Sequence, residues 1–192
     1  MRAALTRENI VKVADNLFYQ QGFEHTSFAD IAKEVRISRG NFYYHFRTKD
    51  EILDAVIEKR LSDRMMIMEK WEIEGDLPQD RIRYFISILL TNSCKIKQYG
   101  CPIGTLTSEL AKLNHHAAKD ACELFTIFRV WLRRQFEQAG HKAKADEYAL
   151  HVLAHSQGVA TLANAFHDDA FINREVENLI AWLNDLPKSK VT

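Results

Sequence analysis

The sequence lacks long apolar runs, and it has too few cysteines, an odd number, for all of them to pair in disulfides. No apolar run approaches the roughly 18 to 20 residues that a bilayer span needs, and the first residues, MRAALTREN, do not form the apolar stretch of a secretion signal. Three cysteines among 192 residues argue against a disulfide framework. We therefore expect a cytoplasmic protein with reduced cysteines and no membrane partner.

Motifs that mark common enzyme classes are also missing. The sequence contains no G-x-S-x-G, no G-x-x-x-x-G-K-[ST] and no G-x-G-x-x-G. Its acidic residues are scattered like ordinary solvated charges. We expect no enzymatic activity. Two alternatives stay open, an enzyme with no recognisable catalytic motif and a helical adaptor that binds other proteins.

The sequence also has no excess of positive or negative residues, but its basic residues are unevenly distributed. The chain has 26 Lys and Arg against 26 Asp and Glu, so its formal net charge is zero. Between Arg36 and Lys49, however, there are four basic residues and His45, with no acidic residue. This basic segment, residues 36–49, is the one local charge signal that favours nucleic acid.

Apolar residues recur with helical spacing, and no strand pattern occurs, so we predict an all-α fold. Thr6 is the predicted N-cap of a first helix that Gly22 ends, and its apolar stripe is Ile10, Val13, Ala14, Leu17 and Phe18. Further helices are predicted from about Lys49, through Met65 and Met68, to Trp71, and at roughly 82–99, 103–113, 115–139, 144–167 and 172–186.

Two short helical patterns separate the first helix from the long one. Thr26 is the predicted N-cap of the second helix and Ser38 that of the third, and so small a gap predicts a helix-turn-helix. In the third helix Phe42 and Phe46 are four apart and should pack inward. Tyr43, Tyr44 and His45 then point elsewhere, either as an ordinary solvated face or toward phosphate oxygens.

The segment GFEHTSFADIAKEVRISRGNFYYHFRTKDEIL, from Gly22 to Leu53, resembles the DNA-binding domain of the TetR family of bacterial transcriptional regulators. The resemblance covers about the first 55 residues and rests on Thr26, Ile31, Ala32, Ser38, Gly40, Tyr43, Phe46, Lys49 and Leu53. The family commonly has Gly where this sequence has Arg36. If that position requires a positive φ, Arg costs on the order of 1 kcal/mol.

The resemblance implies a helix-turn-helix domain over 1–48, joined by the long fourth helix to a helical regulatory and dimerisation domain over 49–192. The third helix would enter the major groove and place Arg39, Gly40 and Asn41 against base edges. Thr26 would cap the second helix so that its amides face a phosphate. The residues expected to hold phosphates directly are Ser27, Tyr43, Tyr44, His45 and Lys49. Ser38, at the start of the third helix, is also an expected DNA-binding residue.

The family also implies a function. The protein would bind an inverted-repeat operator in double-stranded DNA as a homodimer, act as a repressor, and be released by a small-molecule or thiol-reactive inducer. Dimerisation would use the last two helices, although packing within one chain is the alternative. The candidate dimer residues are Leu153, Gly158, Ala160, Val176, Leu179, Ile180 and Leu183.

An inducer pocket is expected in the second domain, with plain core packing as the alternative. Its candidate residues are Trp71, Phe85, Leu89, Phe125, Phe128 and Trp131. Cys101 lies at the predicted start of a helix, where a thiolate is favoured, and is either a sensor or an inert thiol. His151 and His155 share a helix face, but no closed ligand set is evident, so we expect no metal and no cofactor.

Overall fold

The computed structural model describes residues 2–187, with the side chains of all but residues 2, 3 and 169. Within that range every regular element is helical, as the sequence predicts. The helices are α1 (Arg2–Gln21), α2 (Phe28–Val35), α3 (Arg39–His45), α4 (Lys49–Glu74), α5 (Pro78–Thr91), α6 (Ser93–Tyr99), α7 (Pro102–Lys112), α8 (Ala118–Gln138), α9 (Ala145–Phe166) and α10 (Asp169–Asp185). A short 3-10 turn, Lys142–Lys144, precedes α9.

Two predicted helix boundaries are wrong. Helix α1 begins at Arg2, so Thr6 lies inside it and is not its N-cap. The single helix predicted over 82–99 is two helices, α5 and α6, which meet at Asn92. There Thr91 Oγ1 donates to Ser87 O and Asn92 Nδ2 donates to Ile88 O, and such side-chain bonds compete with continuation of the helix.

The chain forms two compact units. Unit 1 contains the residues up to Arg64 together with Pro102–Leu124, and unit 2 contains Met65–Cys101 together with the residues from Phe125 onward. The division between units therefore falls inside α4 and α8, not at residue 48. The predicted functional division into 1–48 and 49–192 stays a prediction.

The core of unit 1 contains the predicted inner faces of the first helices. Ile10, Ala14 and Phe18 of α1 are buried, and Val13 and Leu17 pack partly buried beside them. The same core includes residues from α2, α3, α4, α7 and the start of α8, among them Ile31, Phe42, Leu53, Leu110 and Ala121. The helix-turn-helix segment therefore folds together with a later part of the chain.

The turn between α2 and α3 depends on Arg36. This residue has φ 59° and ψ 43°, the left-handed conformation that ends α2, and its amide donates to the carbonyls of Ala32 and Lys33. A β-carbon in this conformation is unfavourable, so glycine is the usual residue there. The condition named in the sequence analysis, a positive φ at this position, is therefore met.

Unit 2 has its own aromatic core. Trp71 lies 5.6 Å from Trp131 and 6.2 Å from Phe85, and Phe85 lies 5.1 Å from Phe128, between ring centroids. Glu72 accepts a hydrogen bond from Trp131 Nε1 (2.7 Å) and pairs with the guanidinium of Arg134. Met65, which was predicted to continue the apolar stripe of α4, is 50% exposed, so that prediction is wrong.

Helix α9 packs against α5, α6 and α10 in unit 2. Asn164 Nδ2 donates to Lys97 O (2.8 Å), which joins α9 to α6. Hydrogen bonds from Arg129 hold the Asp146 carboxylate at the start of α9, and they lower the pKa of Asp146 and raise that of Arg129. Among the helices described here, none has the length and apolar character needed to cross a membrane.

The left-handed conformation of Arg36 predicts that Arg36→Gly stabilises the folded chain. We expect the free energy of unfolding to rise by about 0.5–1 kcal/mol, because the relieved strain exceeds the extra entropy of glycine in the unfolded chain. Urea denaturation followed by circular dichroism measures the change. The control Lys33→Gly, inside α2, should lose up to about 1 kcal/mol. Equal destabilisation by both variants would contradict the assignment of strain to Arg36.

Candidate nucleic-acid interface

The first turn of α3 is presented to solvent. Ser38 is the N-cap, as predicted, and its hydroxyl accepts a hydrogen bond from the amide of Asn41 (3.3 Å). Arg39, Gly40 and Asn41 follow and are all exposed. A short helix whose first turn carries a guanidinium, an amide side chain and a glycine can approach the edges of base pairs.

The aromatic residues of α3, with Phe46 directly after it, divide between the core and the surface as predicted. Phe46 was predicted inside the helix, but it is the C-cap and has an extended backbone. Phe42 and Phe46 are each 1% exposed and anchor the helix, with Phe42 packed edge-on against Phe28. Tyr43 and Tyr44 are 54% and 78% exposed. His45 is half-buried and contacts the ring of Tyr44 at 5.1 Å. The two hydroxyls and the imidazole are therefore available as hydrogen-bonding groups beside the first turn of α3.

Gly40 is not explained by packing within the chain. A β-carbon built at this residue meets no other atom within 4 Å. Without a side chain, this position in the first turn of α3 leaves the helix backbone open to close approach by another surface.

Helix α2 is capped by Ser27, not by Thr26 as predicted. The Ser27 hydroxyl accepts from the amide of Asp30 (3.2 Å) and donates to its carboxylate (2.6 Å), while the Ser27 amide donates to the same carboxylate (2.9 Å). These bonds from Ser27 lower the pKa of Asp30. The capping box is therefore complete above the ordinary pKa of an aspartate and is lost as the pH falls through the lowered value.

Thr26 has a different position. It is 1% exposed, and its hydroxyl donates to the carbonyl of Gly22 (2.6 Å) and accepts from Gln21 Nε2 (3.2 Å). The residue closes the turn after α1 because its side chain satisfies a backbone carbonyl there. It is a buried positioning residue, and the predicted role as a cap is wrong.

The basic segment keeps three of its four cations at the surface, Arg36, Arg39 and Arg47. Lys49 is the exception, because its ammonium donates to the carbonyls of Phe23 (3.0 Å) and Glu24 (3.2 Å) and lies 4.3 Å from the Phe23 ring centroid. Lys49 therefore fixes the loop between α1 and α2 instead of extending into solvent.

The start of α4 follows the predicted capping box in part. Glu51 donates its amide to Thr48 Oγ1 (3.1 Å), and α4 begins at Lys49 as predicted. The Glu51 carboxylate, however, accepts from the amide of Arg47 (2.7 Å). This carboxylate holds the backbone between α3 and α4 at the end of the basic segment.

Glu109 of α7 is a site residue that the sequence analysis missed. Its carboxylate accepts hydrogen bonds from the amides of Phe23 (3.0 Å) and Glu24 (2.9 Å), 86 and 85 residues away along the chain. Gly22 makes this possible, because it has φ 91° and an added β-carbon would lie 2.9 Å from a carboxylate oxygen of Glu109. No local pattern connects residues so distant in sequence, so only the folded chain reveals the contact.

Arg60 holds the other end of α7. This residue is 3% exposed, and it donates from Nε to Asp15 (2.7 Å) and from Nη1 to the carbonyl of Pro102 (2.5 Å). A buried guanidinium is stable only with such partners. Helix α7 is thus fixed within unit 1 at Pro102 and again at Glu109.

Most candidate inducer residues form the aromatic core of unit 2. Trp71, Phe85, Leu89, Phe128 and Trp131 are each 6% exposed or less, whereas Phe125 is half-buried. None of them lines a cavity of about 480 Å³ in unit 2. Residues of α5, α8, α10 and the loop after α8 line that cavity, including Arg83, Phe136, His141 and Leu183. The five buried residues pack in the core, and their role in an inducer pocket stays a prediction.

The candidate dimer residues are likewise used mainly within one chain. Leu153, Ala160, Val176, Leu179 and Leu183 are buried, Ile180 is half-buried, and Gly158 is exposed. The surface of α9 carries a different stripe, at i, i+4, i+8 and i+12, formed by Leu150, Ala154, Gly158 and Leu162. We call these four residues the α9 stripe. Phe166, 69% exposed, continues it.

Cysteines and histidines were the remaining candidates. None of the three cysteines, all in the described range, forms a disulfide. Cys101 is half-buried and directly precedes α7, as predicted. The His151 ring lies 4.4 Å from the Trp182 ring, tilted by 40°, and His155 Nε2 lies 3.5 Å from the Glu175 carboxylate. In unit 1 the fold brings His115 and His116 beside Asp50, a grouping that the sequence analysis did not propose.

Two family models match the chain. Residues 10–56 match that of the bacterial regulatory proteins of the tetR family, and residues 78–177 match the C-terminal domain of LmrA/YxaF-like transcriptional regulators. The second match spans more than half of the chain. The two matches cover the helix-turn-helix segment and most of the helices that follow α4.

Individual proteins agree with these models. An uncharacterized HTH-type transcriptional regulator in the lacX 3′ region of Lactococcus lactis subsp. lactis is 28% identical over 85% of each chain. The HTH-type transcriptional repressor DhaR of Mycobacterium sp. (strain GP1) is 26% identical over 66% of this chain and 62% of its own. A TetR-family regulator from Cytophaga hutchinsonii has the same fold, with a TM-score of 0.84 at 17% identity over 99% and 98% of the two chains.

The contact of Glu109 with the loop before α2 predicts that Glu109→Gln destabilises the folded chain. The variant keeps one carbonyl oxygen but turns an amide donor toward the second backbone amide, so the free energy of unfolding should fall by about 1.5–3 kcal/mol. Amide hydrogen exchange at Phe23 and Glu24 should accelerate together with this loss. The control Glu123→Gln, at an exposed position of α8, should stay within about 0.5 kcal/mol of the parent. Unchanged exchange at Phe23 and Glu24 in Glu109→Gln would show that the contact does not hold the loop.

Proposed function

Because the chain belongs to the TetR family of helix-turn-helix transcriptional regulators, we propose that it represses transcription by binding an inverted-repeat operator as a homodimer. The observation that carries the proposal is the exposed first turn of α3, with Gly40 open to solvent between Arg39 and Asn41. The name of the relative DhaR, a transcriptional repressor, supports repression over activation.

In this proposal the first turn of α3 reads the bases. Arg39 pairs with a guanine and Asn41 with an adenine, which are the pairings that their donors and acceptors allow. Gly40 lets the helix backbone approach the floor of the major groove. Each bidentate contact distinguishes the right base from a wrong one by about 1–3 kcal/mol.

Phosphate contacts come from the exposed groups around that turn. Tyr43, Tyr44 and His45 supply hydrogen bonds, and Arg36 and Arg47 supply charge. Ser27 and Lys49 contribute mainly by position, because the Ser27 hydroxyl is bonded to Asp30 and the Lys49 ammonium is bonded to the loop after α1. Thr26 acts in the same indirect way from its buried site.

The α9 stripe is the proposed dimer surface. Leu162 is 42% exposed and Leu150 is 43% exposed, while Ala154 and Gly158 between them are small enough to admit a second helix closely. An added β-carbon at Gly158 meets no atom within 4 Å, so packing within the chain does not require glycine there either. Self-association along this stripe is isologous, with two-fold symmetry.

Release of the operator is proposed to follow inducer binding or modification of Cys101. Cys101 immediately precedes α7, and α7 holds the loop before α2 through Glu109. A change at Cys101 that shifts α7 would therefore alter the support of the helix-turn-helix. A coupling of about 1–3 kcal/mol is enough to change operator affinity 5- to 150-fold.

The operator proposal is tested by selection from a pool of genomic fragments from the source organism, with bound fragments sequenced. We expect enrichment of an inverted repeat whose half-site centres are about one helical turn, or somewhat more, apart. A second selection after mild thiol oxidation, with Cys101→Ser as the matched variant, should lose the enrichment for the parent only. Absence of any enriched inverted repeat would contradict the operator proposal.

The dimer proposal is tested with Leu162→Glu, which places a charge in the α9 stripe. Sedimentation should give a dimer for the parent and a monomer for the variant, because a carboxylate buried without a partner opposes association. Leu90→Glu is the matched control, since Leu90 is 39% exposed on α5, and it should stay dimeric. A dimeric Leu162→Glu would rule out the stripe as the interface.

Gly40→Ala separates stability from DNA affinity. The free energy of unfolding should stay constant or rise by up to about 1 kcal/mol, because alanine favours the helix and meets no atom of the chain. Affinity for the selected operator should fall by about tenfold or more, equal to about 1.4 kcal/mol, because the methyl group meets the DNA. Ser108→Ala, an exposed site on α7, is the control and should change neither. Undiminished affinity in Gly40→Ala would contradict close approach of α3 to the bases.

A further inference from the structure

Asp50, His115 and His116 form a group of potential metal ligands in unit 1 that the regulator function does not use. One ligand atom from each residue lies within 4.8 Å of the other two. Asp50 Oδ1 lies 3.4 Å from His115 Nε2, and the two imidazole rings stack with their centroids 4.4 Å apart. Asp50 is the second residue of α4, and the two histidines lie in the turn between α7 and α8.

The backbone of that turn is firmly placed. Asn114 has a left-handed φ of 51°, and the amide of His115 donates back to the carbonyl of Leu110 (2.9 Å). The His115 ring is largely buried and contacts Phe23 edge-on at 5.1 Å. The next residue but one, Ala117, is fully buried. The turn backbone and the His115 imidazole are therefore held in place by the fold before any ligand arrives, which favours binding.

The spacing and the donor types suit a transition metal. Ligand atoms of a tetrahedral zinc site, with bonds of about 2.0–2.2 Å, lie about 3.4 Å apart, which is the separation of Asp50 Oδ1 from His115 Nε2. Two imidazoles and one carboxylate are ligands for Zn²⁺, Co²⁺ or Ni²⁺, whereas Mg²⁺ and Ca²⁺ prefer oxygen ligands alone. From this geometry we infer that Asp50, His115 and His116 bind one divalent transition-metal ion.

Binding requires a change of tautomer at His115. Its Nδ1 accepts a hydrogen bond from the amide of Ala117 (3.2 Å), so the proton of the neutral ring lies on Nε2, facing Asp50. Coordination through Nε2 moves that proton to Nδ1. The metal–nitrogen bond therefore replaces two interactions, the contact of Nε2 with Asp50 and the hydrogen bond from the Ala117 amide to Nδ1. The exchange favours the ion when metal coordination contributes more free energy than these two interactions together.

His116 distinguishes a metal site from a simple ion pair. An Asp50–His115 pair does not need His116, which is exposed, whereas a three-ligand site does. The variant His116→Ala removes a ligand without opening the core. His25→Ala is the matched control, because His25 is also an exposed histidine of unit 1 outside the cluster.

The test is a titration of the full chain, freed of metal with a chelator and kept reduced without added thiol, with cobalt(II) chloride. We expect one Co²⁺ per chain, with visible d–d absorption and no sulfur-to-cobalt charge-transfer band, and displacement of Co²⁺ by Zn²⁺. His116→Ala should bind more than about tenfold more weakly, since even outer partners of metal ligands change affinity 10- to 100-fold. Zn²⁺ should raise the Tm of the parent and of His25→Ala, but not that of His116→Ala.

Three results would overturn the proposal. They are absence of stoichiometric Co²⁺ binding, equal affinity in His116→Ala and the parent, or a charge-transfer band that assigns the bound ion to cysteine. The titration uses no DNA, so its failure would leave the operator proposal untouched, and failure of the operator selection would leave the metal site untouched.

Discussion

The backbone of Phe23 and Glu24 is held from two sides, and the placement of the helix-turn-helix depends on it. The Glu109 carboxylate accepts their two amides, and the Lys49 ammonium donates to their two carbonyls. The two amides and two carbonyls of this loop have no helical hydrogen-bond partners, and the two side chains supply partners for all four. The carboxylate can approach this closely only because Gly22 has no β-carbon and adopts a positive φ.

From that loop the local rules of helix formation place α2 and α3. Ser27 and Asp30 start α2, Arg36 ends it in a left-handed conformation, and Ser38 starts α3 two residues later. Phe42, inside α3, and Phe46, directly after it, then fix the rotation of the helix, since both are almost completely buried. Once those two rings point inward, helical geometry leaves Arg39, Gly40, Tyr43 and Tyr44 outside. The exposed surface is thus a consequence of the buried one.

The later helices show the limit of reasoning from periodicity. The sequence predicted helices near α7 to α10 with small boundary errors, because apolar spacing and terminal Gly or Pro residues are local signals. It did not predict which apolar face of α9 is used within the chain. Leu153 and Ala160 face the core, while Leu150 and Leu162, of similar character, face solvent. The aromatic residues of unit 2 were ambiguous for the same reason, because a core and a pocket are lined by the same residue types.

The sequence by itself determined the all-α fold, the helix-turn-helix, the outward tyrosines and the family. Each of these depends on residues within about 30 positions of one another, where spacing, capping residues and the basic segment act directly. The Ser27 cap is a local feature, since Asp30 follows it by three residues, and the sequence analysis assigned the cap to Thr26 instead. Only the tertiary structure decided that Lys49 bonds to a loop and that Glu109 reaches residues 85 and 86 positions away. It also brought Asp50 to His115 and His116. Such contacts form when distant segments share one core, and no local pattern encodes which side chains meet there.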